Sequence, residues 1–107
     1  MPLHIKAPDL EILLEIFARE LPDAEVRAFG SRVADVEPGP EVDLDLALMA
    51  GYVISLERMI AIERTISEAG LPFAVDVFDY AKLTKKFKND IDEDYIAIKE
   101  KRANSGK

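Results

Sequence analysis

Apolar residues recur along this chain with two alternating periods. Leu10, Leu13, Leu14, Phe17, Ala18 and Leu21 follow one another at spacings of three and four, the stripe of an amphipathic helix. Pro8 in the first turn and Asp9 near the positive end of the helix dipole open that helix, and Leu21-Pro22-Asp23 stops it. Glu25–Phe29 then alternates as a short strand, with Val26 and Ala28 on one face. Gly30 ends the strand, and Ser31 is placed to cap a short helix over Arg32–Asp35. Pro38, Gly39 and Pro40 make Glu37–Glu41 a loop. Val42–Leu48 is the second and most hydrophobic strand. Ser55 caps a helix that carries Leu56, Met59, Ile62, Ile66 and Ala69 on its core side and ends at Gly70 and Pro72. Phe73–Phe78 reads as a third strand, the segment near Thr84–Asn89 as a short helix, and Tyr95–Ile98 as a final extended piece. The pattern predicts an α/β fold, a small mixed β-sheet flanked by helices, with Ser55–Ala69 as the crossover.

Composition narrows the classes of function. One hundred and seven residues, 49% apolar and 33% charged, make one modest globular domain, expected over 1–102 with 103–107 as a flexible tail. No apolar run is long enough to cross a membrane, and Met1–Leu10 lacks the apolar centre of a signal peptide. With no cysteine there are no disulfides or thiolate metal sites, which suits a cytoplasmic protein. A net charge of −7 argues against non-specific binding of a nucleic-acid backbone. A small anionic substrate stays open if metal ions neutralise the site locally.

The chemistry concentrates in Ala28–Met49, AFGSRVADVEPGPEVDLDLALM. Carboxylates at i and i+2 of a strand project from one face, so Asp43 and Asp45 point together, opposite Leu44, Leu46 and Leu48. Two such charges at about 6 Å and an effective dielectric near 20 repel by roughly 3 kcal/mol. A divalent cation between them removes that cost. Asp76 lies inside the third strand and completes a hard-metal set suited to Mg²⁺, which combines a few carboxylates with waters and phosphate oxygens. Gly30 lets the backbone approach a phosphate closely, and Ser31 adds a hydroxyl donor. Two Mg²⁺ ions bridge three aspartates and a nucleoside triphosphate that would otherwise repel one another. The matching reaction is in-line attack on a phosphoryl group.

Gly30-Ser31-Arg32, then Asp43-Leu44-Asp45, then Asp76 resemble the DNA polymerase β-like nucleotidyltransferase superfamily, and within it the minimal nucleotidyltransferases that accompany HEPN-domain proteins. The resemblance spans nearly the whole chain. It implies that Gly30, Ser31 and Arg32 bind the nucleotide, that Asp43, Asp45 and Asp76 hold two Mg²⁺ (or Mn²⁺) ions, and that these aspartates are catalytic. It also implies transfer of a nucleoside monophosphate, AMP from ATP, to a hydroxyl of a HEPN toxin, with the chain acting as an antitoxin. The segment Arg32–Val42 is one residue longer than is usual in the family. Ala34-Asp35 stands where an Arg-Gly is common, and Val42 where a serine is usual. Asp35, Glu37 and Glu41 make this loop acidic, which favours a second reading: a binding subunit of the same fold that neutralises its partner by occlusion.

Each of these residues also has a plainer role open to it. Arg32 serves equally as a structural ion-pair partner or a phosphate contact, and Asp76 could pair with a lysine. His4 is expected to be an ordinary surface residue, and Lys82, Lys85, Lys86 and Lys88 a solvated face. Asp90, Asp92, Glu93 and Asp94 lack the glycine and ligand spacing of an EF-hand loop. Acceptor identity, base preference and homo-oligomerisation are left open by the sequence.

Overall fold

The computed structural model describes residues 2–101; the expected tail at 103–107 lies outside them. Helix α1 (Ala7–Glu20) leads into strand β1 (Glu25–Phe29) and a single 3₁₀ turn over Gly30–Val33. Strand β2 (Leu44–Met49), helix α2 (Leu56–Ser67) and strand β3 (Val75–Asp79) follow. A second 3₁₀ turn (Tyr80–Lys82), helix α3 (Lys85–Glu93) and strand β4 (Tyr95–Lys99) complete the chain. The sheet order is β3-β2-β1-β4. β2 and β3 run parallel across the α2 crossover, while β1 is antiparallel to both β2 and β4, so the sheet is mixed as expected.

The core lies on one face, where α1 and α2 cover Val26 and Ala28 of β1 and Leu44, Leu46 and Leu48 of β2. From α1 it takes Leu13, Ile16 and Phe17, and from α2 Ile62 and Ile66. Two expected core positions lie outside: Ala18 is exposed, and Leu56 is 74% exposed. Leu56 belongs to the first turn of α2, beyond the sheet surface that Ile62 and Ile66 reach. The Ser55 cap forms as expected, its hydroxyl accepting from the Arg58 amide. Thr84 caps α3 through the Phe87 amide, and α3 runs to Glu93, further than the sequence suggested. β2 begins at Leu44 and β3 at Val75, each two residues later than expected.

The opposite face is where the molecule departs from a simple two-layer sandwich. Helix α3 lies on it, and Phe87 meets Phe29 and Phe78 with ring centroids 5.9 and 5.6 Å away. Arg27 donates to Glu25 and to Asp92 of α3, both at 2.7 Å, and its guanidinium lies 4.0 Å from the Tyr95 ring centroid. Tyr80 donates to the other Asp92 oxygen at 2.8 Å. These contacts fix α3 beside the sheet end at which β1 finishes and β2 and β3 begin.

Candidate active site

Strand alternation places Phe29, Asp45 and Asp76 on the open face, and the register aligns them. Phe29 is opposite Asp45 in the antiparallel pair, and Asp45 is opposite Asp76 in the parallel pair. Two carboxylates thus stand side by side on neighbouring strands, near the usual spacing of about 5 Å. Asp43 lies just before β2 and is exposed, a correction to the expectation that it sits within the strand. Its charge still reaches both partners. The Asp76 carboxyl comes within hydrogen-bonding reach of Asp43 and Asp45, so the structure brings all three expected aspartates together.

Their electrostatics are those of negative charge without compensation. Partial burial, followed by the charges of Asp76 and Asp43, pushes the Asp45 carboxyl up to about 6 from an ordinary 3.8. Asp76 is raised by what desolvation it has and by its contact with negative Asp43, partly offset by its hydrogen bond with Asp45. None of the three has an ion-pair partner among the described residues. Carboxylate oxygens of this kind are the ligands that a hard cation such as Mg²⁺ prefers. Among the described residues no group of three or more His, Cys, Asp or Glu side chains is placed to hold a metal ion.

Gly30 forms the second wall. Its φ of +82° is a left-handed conformation that side chains disfavour. A Cβ at this position would also sit 2.5 Å from Asp45 Oδ2. The backbone therefore lies close to the carboxylate, and the positive φ favours glycine at this position. Ser31 is exposed in the 3₁₀ turn and does not cap it: the cap position is Phe29, with no side-chain hydrogen bond. Its hydroxyl therefore stays available at the surface of the turn.

Arg32 departs most clearly from expectation. It is 7% exposed, and it donates to the carbonyls of Val42 (Nε 3.1 Å, Nη2 2.9 Å), His4 (2.9 Å) and Pro40 (3.0 Å). Its guanidinium also lies 4.3 Å from the Phe73 ring centroid. It forms no ion pair among the described residues; four N–H bonds tie the turn to the loop before β2 and to the N-terminal segment. His4 takes part in the same clasp: its amide donates to the Arg32 carbonyl and Nε2 bonds the Ala34 carbonyl, each at 2.7 Å. The expected lysine face holds in part. Lys86 pairs with Asp90 in an exposed contact, while Lys88 lies 5.3 Å from the Tyr80 ring centroid. Asp79 drew no attention as a sequence position. It is buried, accepts from the Ile54 and Ala81 amides, and so joins the end of β3 to the loop before α2.

A Haemophilus influenzae protein named probable protein adenylyltransferase MntA is 34% identical over 99 residues, 92% of this chain and 86% of that protein. The chain belongs to the MntA family of protein adenylyltransferases. No family model matches the sequence. A crystal structure of a toxin-antitoxin with AMP-PNP superposes with a TM-score of 0.71 at 14% identity, over 87% of this chain and 74% of that one. That likeness concerns the fold alone: the structure shares the mixed α/β architecture of this MntA-family member. Among the described residues no helix is long and apolar enough to cross a membrane.

Proposed function

We propose that this protein is a Mg²⁺-dependent adenylyltransferase that moves AMP from ATP onto a hydroxyl of a partner protein, a HEPN-type toxin, and so acts as a cytoplasmic antitoxin. The observation that carries the reading is the in-register pair Asp45 and Asp76, with the Gly30 backbone against Asp45. A protein-adenylylating relative and a nucleotide-analogue-bound structure of like fold support it.

Asp43, Asp45 and Asp76 would hold two Mg²⁺ ions, which supply charge neutralisation of the triphosphate and a more acidic acceptor hydroxyl. The Gly30–Ser31 turn gives the phosphates a close backbone approach and a hydroxyl donor. The acceptor oxygen attacks the α-phosphorus in line, the bond to the β-bridging oxygen breaks, and pyrophosphate leaves with that electron pair. The hydroxyl proton passes by way of the carboxylates to solvent. In this reading Asp76, on the edge strand β3, serves the acceptor hydroxyl.

Mass spectrometry of a HEPN-type partner after incubation with ATP and Mg²⁺ tests the reading. The expected result is an AMP adduct on the partner, with pyrophosphate released, lost in Asp76→Ala while much of the metal–ATP affinity remains. The occlusion reading has one observation in its favour: Arg32, the side-chain cation of the turn, is committed to carbonyls. A partner silenced equally by wild type and Asp76→Ala, with no adduct, would establish occlusion.

A further inference from the structure

Beside the aspartates, between the Gly30 turn and α3, opens a cavity of about 450 Å³. Phe29, Phe87 and Ile91 supply its apolar floor, and Asp35, Asp90 and Asp94 contribute carboxylates around it. The three acids come from two separate elements, the segment after the turn and the C-terminal half of α3. Among the described residues no lysine or arginine lines the cavity. Asp90 pairs with Lys86 in an exposed contact, whereas Asp35 and Asp94 have no ion-pair partner among the described residues. The cavity adjoins the reacting centre, because Gly30 belongs both to its lining and to the wall against Asp45.

An apolar floor under acidic groups has a specific complement. A lysine or arginine side chain has a hydrocarbon stem that packs on apolar surface and a cationic head that remains at the rim. The two phenylalanine rings add favourable faces for a guanidinium. We infer that this cavity receives a cationic side chain of the partner protein, next to the hydroxyl that accepts the nucleotide, and so selects acceptors with a basic flank. The inference rests on the adenylyltransferase reading and adds to it the class of acceptor segment.

The probes are short fluorescent peptides with one hydroxyl residue, flanked by arginine, glutamine or glutamate, measured by anisotropy at low ionic strength. Wild type should bind the arginine peptide about tenfold more tightly than the glutamine peptide, and the glutamate peptide most weakly. Asp35→Asn with Asp94→Asn should erase that order while ATP–Mg²⁺ affinity, measured by calorimetry, stays within about twofold. Ala34→Trp, which fills the cavity from an exposed position, should weaken the arginine peptide without touching ATP affinity. Equal binding of the three peptides, or an order that survives both variants, would overturn the inference and leave the transfer reading standing if ATP still binds. An ATP affinity that falls with the Asn or Trp substitutions while the peptide order persists would assign the cavity to the nucleotide base and overturn the inference too. Wild type that binds no ATP at all would instead sink the adenylyltransferase reading, with the peptide order still read independently.

Discussion

The two faces of the sheet use the same strands for opposite purposes. On the helix-covered face, Leu44, Leu46 and Leu48 of β2 are almost fully buried and packed by α1 and α2. On the other, Asp45 from the same strand is half-buried, beside Asp76 and against Gly30, with its pKa pushed up. One residue along the strand separates hydrophobic stabilisation from electrostatic cost. The packed face supplies the rigidity with which the open face holds like charges together. Such strain is tolerated where a cation later offsets it.

The largest expected effect falls on the open face alone. Asp45→Asn should lower AMP transfer by about three orders of magnitude, ~4 kcal/mol of barrier. The melting temperature of the metal-free protein should hold or rise, since a repelling charge is gone. A variant that transfers normally would remove Asp45 from the site. The neighbouring position should behave in the reverse way. Leu46→Ala, on the packed face, should cost about 3 kcal/mol in urea unfolding through the lost burial and the cavity it leaves. At temperatures where the variant stays folded, transfer per folded molecule should change little.

Arg32 tests the boundary between the two regions. Arg32→Ala should cost about 2 kcal/mol of stability, because the carbonyls of His4, Pro40 and Val42 lose their donor. Unchanged stability with a collapse in ATP affinity would restore Arg32 as a phosphate contact.

The smallest effect is a pH dependence of the metal-free protein in EDTA. Asp45 ionises near 6 in the folded state against an ordinary 3.8, so its contribution to stability is fully present below about 4 and is lost as pH rises through 6. Relative to Asp45→Asn, wild type should therefore lose stability between pH 5 and pH 7. Discounted for the solvent that reaches Asp45, the change is about 1 kcal/mol. Parallel melting curves for the two proteins across that range would show that the repulsion is already relieved by other means.

The sequence by itself determined most of the elements and the candidate site residues, because both are written in local spacing. The three- and four-residue stripe of α1, the alternation in β1 and β2, and the cap at Ser55 depend on neighbours a few positions away. The candidate aspartates and Gly30 were legible for the same reason, together with their resemblance to a known pattern. Tertiary structure alone decided what each side chain meets. The role of Arg32 depends on His4, distant in sequence, and on the carbonyls of a loop with no periodicity. The alignment of Asp45 with Asp76 depends on a parallel register set across the α2 crossover. The placement of α3 depends on Phe87 meeting Phe29 and Phe78, from two other strands. Leu56 satisfies the helical stripe yet lies outside, because periodicity defines a face of a helix without saying how far the sheet beneath it extends. Local pattern constrains backbone conformation directly; long-range contact depends on how the elements pack, and no short window of sequence contains that information.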